Sequence, residues 1–431
     1  MNFLSKSILT TGGHIVAAAL TMLAGILFAR TLGPAGMGQY SLILSTVTMA
    51  AGVIGLGLGS ANVFFLNSRN TPIKDIVSNA IKTTMVLGLV LAGGLTWAFM
   101  EYKDYFGRLP PVIAVAVAFG GAAYMARFIL GPILVAQLMA RRMVVVNLIR
   151  PLVLLLAGGL FAVIGLLNPH NTLLVLVAAL VGTLCLVVHY HWQHIDLRKR
   201  FNWGLFRELG SYALKLSAAS TMFALTREVS VLLLRGMRSE DFEAVGFYTR
   251  AVSICLLASI VPHAIAPWLY AKWAGTPLDQ RNRQVEMAAR VNVTYTLLAA
   301  AGLLLLGRPL IRLLYGAEFL PAYSALVLLA PAISLMTLFV VCQQLLASDG
   351  RAAAAAYVLT GTVIIMIAVT YLAVPGMGIQ GAALGVLTGN AFAALAGMGV
   401  CWKLYRLNPL NCLFMRRQDI RYVRKALIRK T

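Results

Sequence analysis

Residues 28–40 of this 431-residue chain read FARTLGPAGMGQY, a cluster of turn residues between two long apolar runs. Pro34 restricts φ and has no backbone donor, while Gly33, Gly36 and Gly38 allow backbone angles that other residues avoid. The stretch therefore predicts a turn. The runs on either side decide which kind of elements the turn joins.

The composition of the chain is that of an integral membrane protein. Hydrophobic residues make up 60% of the sequence and the mean hydropathy is +0.83, whereas soluble domains are roughly 45 to 50% apolar. Charged residues are only 12% of the total, so no sizeable soluble domain is expected between the apolar runs. The formal net charge of +22 lies mainly in short loops and at the C-terminus, which favours anionic lipid over nucleic acid as its neighbour.

Apolar runs of about 20 residues, the length that crosses a bilayer, predict twelve membrane-spanning helices. They lie near residues 8–30, 38–66, 77–100, 111–138, 143–166, 172–192, 207–235, 244–270, 285–307, 321–346, 352–373 and 378–402. The first run is expected to be a retained helix, because no small-residue cleavage site precedes the turn. Most Lys and Arg residues fall in the loops of one side and after the last span, which predicts cytoplasmic N- and C-termini.

The sequence pattern at the turn of the opening stretch is repeated in the second half of the chain. A Gly-x-Tyr that follows a charged turn occurs at Gly38 and again at Gly246, a step of 208 residues, and Gln137 recurs as Gln344 at a step of 207. The agreement predicts a duplication of six helices, and an even number makes the two copies parallel. The expected organisation is an N-terminal bundle, a cytoplasmic linker, a C-terminal bundle and a basic cytoplasmic tail, at residues 1–192, 193–206, 207–402 and 403–431.

A polar stripe follows the same repeat. Thr10, His14 and Thr21 lie at i, i+4 and i+11, within about 40° of arc on the first helix. The repeat step places three polar residues at the equivalent positions of the seventh helix: Ser217, Thr221 and Glu228. Both stripes are predicted to line one central cavity. The alternative is that the hydroxyls only bond backbone carbonyls of their own helices.

Basic residues inside the predicted spans indicate where chemistry takes place. Arg127 and Arg227 lie several residues from either end of a span, where a charge costs roughly 2.5 to 3.5 kcal/mol, so each needs a cavity, water or an ionic partner. Arg227 has the adjacent Glu228 as one such partner, and a static ion pair between them is an alternative to a binding role. Arg150 shares a helix face with Asn147 and is a third candidate for binding an anion.

Glu228 is a carboxylate inside a span, and it is predicted to couple transport to a proton or Na⁺. Burial and the neighbouring Arg227 act in opposite directions on its charge, so its occupancy can change as its surroundings change. No cofactor or metal is predicted, because HYHWQH at residues 189–194 has no Cys or carboxylate and no nucleotide-binding loop is found. The stripe Gly381, Gly385 and Gly389 predicts close helix packing.

The stretch FARTLGPAGMGQYSL resembles the turn after the first helix of the polysaccharide flippases of O-antigen type, the oligosaccharide-exporting branch of the MOP superfamily. The stretches LLYGAEFLPAYSALVLLAP at 313–331 and GMGIQGAALGVLTGN at 376–390 are similar to that family as well. The likeness extends over nearly the whole chain except the tail after Trp402.

The resemblance implies an all-α, V-shaped, MATE-like bundle of two six-helix halves around a cationic cavity, in the bacterial cytoplasmic membrane. It implies alternating-access flipping of a polyprenyl-diphosphate-linked oligosaccharide to the outer leaflet for surface polysaccharide synthesis, without an enzymatic step. The expected partners are that glycan, membrane lipids, a polysaccharide polymerase and other assembly proteins, and the expected state is a monomer. The alternative is another MOP-type exporter, of lipid II or of small molecules such as drugs. This alternative is less favoured, because His14 stands in a first helix that has no acidic residue and the two extra helices of lipid II flippases are absent.

Overall fold

The computed structural model describes residues 3–55, 57–69, 71–137, 139–196, 198–237, 241–273, 278–413 and 415–416. Within this part of the chain the α-helices are α1 Phe3–Ile54, α2 Leu58–Ser68, α3 Ile73–Glu101, α4 Lys103–Phe106, α5 Pro111–Ala136, α6 Ala140–Val163, α7 Pro169–His191, α8 Trp203–Met237, α9 Phe242–Trp273, α10 Leu278–Leu314, α11 Ala322–Ser348, α12 Ala352–Met377 and α13 Ile379–Tyr405. Short 3-10 helices follow at Trp192–His194, Ala317–Phe319 and Pro409–Cys412. The tail prediction lies mainly on residues 417–431, outside the described residues.

The predicted turn of the opening stretch is confirmed as a break inside α1. Gly33 has φ 66° and ψ −178°, outside the helical region, and Pro34 begins the next helical stretch. Proline is well tolerated at the first position of a helix, because the N–H that it lacks would have no partner there. The turn is therefore shorter than expected, and the second span begins at Pro34 rather than near residue 38.

Arg30 has a structural partner close to this break. Its Nε donates to the carbonyl oxygen of Leu314, the last residue of α10, at 2.9 Å. The last carbonyl oxygens of a helix accept no hydrogen bond from within the helix. A guanidinium group that donates to one of them therefore stabilises the end of the helix. The charged residue of the opening stretch, Arg30, thus has a structural role at the end of α10.

Ten helices among the described residues are long and apolar enough to cross a membrane. The twelve predicted spans correspond to these helices with three differences. The second predicted span, 38–66, is interrupted, because α1 ends at Ile54 and α2 begins at Leu58. The first two spans are merged in α1, which is continuous in helical structure apart from Gly33. The seventh predicted span lies within α8, which carries Arg227 and Glu228 and is not among the ten.

The helices group into two compact units. The first unit contains Met1–Thr249 and Leu314–Glu318, and the second contains Arg250–Leu313 and Phe319–Thr431. In the first unit α8 packs against α1 and α2, which is why it groups with the preceding helices. The contacts therefore set a different boundary from the expected repeat boundary at residues 193–206, and the repeat limits stay a prediction.

Two glycines that are separated by the repeat step pack against each other's helices in the first unit. A β-carbon at Gly38 would overlap the carbonyl oxygen of Phe242, and one at Gly246 would overlap the carbonyl oxygen of Pro34. Each contact is the other one shifted by the predicted 208 residues. The reciprocity is that of a local two-fold relation between α1 and the start of α9.

A side-chain hydrogen bond obeys the same relation. The hydroxyl of Thr249 lies 3.2 Å from the hydroxyl of Ser41, and these residues are 208 positions apart. Residues related by the repeat meet each other only close to a symmetry axis. The duplication inferred from sequence is thus visible in the contacts.

The predicted close packing of the glycine stripe on α13 is confirmed, and α12 is the partner. Added β-carbons at Gly381, Gly385 and Gly389 would meet, in order, the backbone of Ala373, the hydroxyl of Thr370 and the side chain of Met366. Such contacts allow van der Waals packing between helices in a lipid environment, where the hydrophobic effect does not drive association.

The connection between α3 and α5 is attached to α8 through Arg235. This side chain, 1% exposed, donates from Nε to the carbonyl oxygen of Tyr105 at 2.7 Å and from Nη2 to that of Asp104. The hydroxyl of Tyr105 donates to the Leu232 carbonyl oxygen at 2.7 Å. Burial raises the pKa of Tyr105 to about 12, which further disfavours loss of the proton that this hydroxyl donates.

Candidate functional site

Polar residues from four helices of the first unit meet in one group, which we call the cationic cluster. Its members are His14 of α1, Arg127 of α5, Asn147 and Arg150 of α6, and Arg227 and Glu228 of α8. Five of these six residues are predicted site residues, and Asn147 was expected to share a face with Arg150. The fold thus brings together residues that are more than 200 positions apart in sequence.

Arg127 is oriented by the amide of Asn147. Its Nη2 donates to Asn147 Oδ1 at 2.7 Å, and both residues are half-buried. Arg127 lies more than two turns from either end of α5, so its guanidinium is well inside the span. Its Nε is buried and has no hydrogen-bond partner among the residues that the structure describes.

Arg150 is close enough to both Arg127 and Glu228 for its charge to act on each of them. Its guanidinium carbon is 5.4 Å from the centre of the Tyr124 ring. The Nε of Arg150 is also buried, and it too has no hydrogen-bond partner within the described part of the chain. The positive charges of Arg127 and Arg150 repel each other. Each of the two side chains also has an Nε donor that makes no hydrogen bond within the described part of the chain.

His14 and Glu228 have different neighbours in the cluster. His14 is exposed, and its ring is close enough to Arg127 to interact with that charge. Glu228 is half-buried and interacts with the hydroxyls of Ser45 and Thr48 and with the charges of Arg227 and Arg150. Glu228 therefore has two hydroxyl groups and a second guanidinium group as neighbours, in addition to Arg227.

The cluster has more positive than negative charge. Three guanidinium groups and one carboxylate leave a formal charge of +2, with the His14 ring taken as neutral. Arg227 is exposed on α8, whereas the other two arginines are half-buried. An excess of positive charge with buried, unused donors is suited to binding an anion such as a phosphate group.

The other predicted site residues have different environments. The Thr21 hydroxyl donates to the Ala17 carbonyl oxygen at 2.7 Å, which is the local backbone bond that the alternative interpretation expected. Thr10 and Thr221 are half-buried on α1 and α8, and their binding roles stay predictions. The side chain of Ser217 lies outside the described residues.

Sequence reasoning missed three residues that support the cluster: Ser45, Thr48 and Tyr124. A signal for the first two was available, because Ser41, Ser45 and Thr48 lie at i, i+4 and i+7 and so share one face of the second span. The contribution of Tyr124 depends on the packing of α5 against α6 and has no comparable pattern.

His191, from the histidine-rich stretch at the end of α7, has a structural partner. Its Nε2 lies 3.2 Å from the carbonyl oxygen of Leu130, and the residue is fully buried. This contact attaches α7 to α5.

The fold is that of the MOP-superfamily transporters. An inward-facing structure of a multidrug resistance MATE family transporter is similar with a TM-score of 0.75, at 15% identity over 93% of this chain and 98% of that chain. The lipid II flippase MurJ, in an inward closed conformation, is similar with a TM-score of 0.73, at 14% identity over 91% of this chain and 87% of that one. A MOP superfamily transporter from Pyrococcus furiosus, described as having a binding pocket of reverse polarity, has a TM-score of 0.65, at 17% identity over 93% and 94% of the two chains.

The family is defined by sequence. Residues 3–269 match the family described as "Polysaccharide biosynthesis protein", and the chain belongs to that family. No curated protein matches it in sequence. The predicted family, the all-α membrane fold and its MATE-like architecture are thereby confirmed.

Proposed function

We propose that this multi-pass membrane protein is a flippase that moves a polyprenyl-diphosphate-linked oligosaccharide from the cytoplasmic to the outer leaflet. The observation that carries the proposal is the cationic cluster, with its formal charge of +2 and the unused Nε donors of Arg127 and Arg150. Membership of a polysaccharide biosynthesis family supports a glycan as the cargo.

The chemistry of the cluster suits a diphosphate. Guanidinium groups donate to phosphate oxygens in fixed geometry, and charge-assisted hydrogen bonds of this kind are about twice as strong as neutral ones. A diphosphate would occupy the donors that Arg127 and Arg150 leave unused and would compensate their mutual repulsion. Asn147 and Tyr124 act as positioning residues, because one holds Arg127 and the other contacts Arg150.

Transport of such a cargo needs no catalytic step and no ATP. The polyprenyl tail remains in the bilayer while the glycan and diphosphate cross a hydrated pathway by alternating access. Each negative charge that moves outward is favoured by about 2.3 kcal/mol per 100 mV of membrane potential. We place the protein in the bacterial cytoplasmic membrane as a monomer with both termini in the cytoplasm, delivering its product to a polysaccharide polymerase and other assembly proteins.

The function is tested by locating the lipid-linked glycan after the protein is depleted. We expect the glycan to accumulate in the cytoplasmic leaflet, where enzymes added to inverted vesicles can reach it and enzymes added to spheroplasts cannot. Resupply of the wild-type protein restores access from outside. Accumulation of lipid II instead would favour the alternative exporter function, and an unchanged leaflet distribution of all lipid-linked glycans would refute flipping.

Glu228 is proposed as the residue that couples flipping to a proton or Na⁺ gradient. Glu228→Gln preserves the shape of the side chain beside Ser45 and Thr48 but cannot ionise. We expect flipping down the glycan gradient to persist in proteoliposomes, while its dependence on a pH or Na⁺ gradient is lost. Wild-type gradient dependence in this variant would contradict the role.

The competing interpretation is a static charge partner for Arg227 and Arg150. It predicts that Glu228→Gln folds poorly and that neutralising Arg227 as well restores the yield of folded protein. Thermal unfolding of the single and double variants in detergent separates the two interpretations.

A further inference from the structure

Arg281, near the start of α10 in the second unit, has an incomplete set of hydrogen bonds. The residue is 5% exposed, and its Nη1 donates to Asp349 Oδ1 at 3.3 Å. Its Nε and Nη2 are buried and have no partner among the described residues. The buried guanidinium group therefore makes a hydrogen bond through Nη1, whereas the edge formed by Nε and Nη2 makes none within the described part of the chain.

The unsatisfied edge has a specific geometry. The N–H groups of Nε and Nη2 point in parallel, and this edge of arginine binds two oxygens of a phosphate or carboxylate at once. The ring of Tyr405, whose centre is 5.3 Å from the guanidinium carbon, contacts Arg281 as well. The Asp349 contact and this ring restrain the guanidinium before any ligand arrives.

Asp349 is already shared among several donors. Besides Arg281, its carboxylate accepts a hydrogen bond from the Tyr405 hydroxyl at 2.9 Å and an ion-pair contact from Arg351 Nε at 3.2 Å. Two guanidinium groups and one carboxylate leave a formal charge of +1 at this place. A further anion would balance that charge.

The group lies at the level where lipid headgroups are found. The candidate membrane span of α10 begins at Gln280, that of α11 ends at Ser348 and that of α13 ends at Tyr405. Arg281, Asp349 and Tyr405 are thus at one end of three spans. Arg351 is 52% exposed in its side chain, so its guanidinium group, unlike that of Arg281, is accessible from the surroundings.

We propose that the Nε–Nη2 edge of Arg281, assisted by Arg351, is a binding site for a phosphate group. Either an anionic lipid headgroup or free inorganic phosphate can supply this chemistry. The site belongs to the second unit and does not depend on the proposed transport function.

The test compares ligands that differ only in the phosphate. Full-length protein purified in detergent is titrated with phosphatidic acid, with diacylglycerol of the same acyl chains and with inorganic phosphate, and binding is followed by native mass spectrometry and thermal shift. We expect phosphate-dependent binding that falls about tenfold in Arg281→Lys, because lysine keeps the charge and loses the bidentate edge. The matched control is Arg283→Lys, an exposed arginine two positions further along α10, which should change binding by less than about twofold.

The outcomes separate the two sources and decide the proposal. Arg281-dependent binding of phosphatidic acid alone supports a lipid, and competition by inorganic phosphate supports a soluble ligand. An equal loss in Arg281→Lys and Arg283→Lys would overturn the site. Should Arg281→Lys not fold, Arg351→Gln decides, because loss of the assisting charge must weaken phosphate binding while Arg281 and Asp349 stay in place, and an unchanged affinity refutes the proposal.

Discussion

Arg127→Ala is expected to abolish flipping while the amount of protein in the membrane stays normal. The substitution removes a half-buried charge whose hydrogen bonds to a phosphate are each worth about 1.5 to 3 kcal/mol. Since about 1.4 kcal/mol corresponds to a factor of ten, each lost hydrogen bond slows transport by about 10- to 100-fold, so the loss of two such bonds from one guanidinium group leaves flipping below detection. Flipping of a fluorescent polyprenyl-diphosphate glycan in proteoliposomes measures the effect, and Arg227→Ala is expected to be inactive as well.

Two further variants make this test specific. Asn147→Asp places a carboxylate where Arg127 Nη2 now donates at 2.7 Å, and the new ion pair should also stop flipping without removing any arginine. The control is Arg141→Ala, an exposed arginine at the start of α6, which should retain wild-type activity. Full activity in both Arg127→Ala and Arg227→Ala would contradict the proposal that the cationic cluster binds the diphosphate.

Gly38→Ala is expected to prevent stable folding. The added β-carbon would overlap the carbonyl oxygen of Phe242 and lie 3.0 Å from the backbone nitrogen of Gly246, so α1 and α9 must move apart. Backbone atoms cannot shift as a flexible side chain does, and overpacking of this kind costs on the order of 3 kcal/mol or more. The measurement is the melting temperature and the yield of monodisperse protein in detergent.

The matched control for this variant is Gly93→Ala on α3. A β-carbon at Gly93 meets no atom within 4 Å, and alanine is the better helix former by about 1 kcal/mol. Gly93→Ala should therefore be as stable as the wild type or more so, whereas Gly246→Ala should reproduce the defect of Gly38→Ala. Equal stability of the Gly38 and Gly93 variants would contradict the close approach of the two helices.

Much of the architecture was accessible from sequence because a bilayer imposes strong constraints on it. Backbone groups in lipid must be bonded within a helix, so apolar run length predicts the spans directly. The repeat step of 208 residues came from a few turn residues, and the reciprocal contacts of Gly38 and Gly246 bear it out. The cost of a charge at depth singled out Arg127 and Arg227; Arg127 is half-buried in the cationic cluster, whereas Arg227 is exposed on α8.

Other features could not be predicted in this way. The sequence places Ser45 and Thr48 on one face of the second span, but that this face meets Glu228 depends on the packing of α1 against α8. The grouping of α8 with the first unit likewise follows from its contacts with α1 and α2 rather than from the duplicated pattern.

The sequence alone therefore determined the membrane class, most of the helical spans, the break at Gly33 and Pro34, and the repeat step of 208 residues, because these follow from local hydropathy, backbone geometry and spacing. Only the tertiary structure decided how charges are shared: that Arg30 stabilises the end of α10, that Arg127 is held by Asn147, and that Arg281 keeps an unused edge beside Asp349. The physical reason is that a hydrogen bond or ion pair depends on distances of a few ångströms between side chains of different helices. Hydropathy along a single helix contains no information on which of its neighbours a side chain meets.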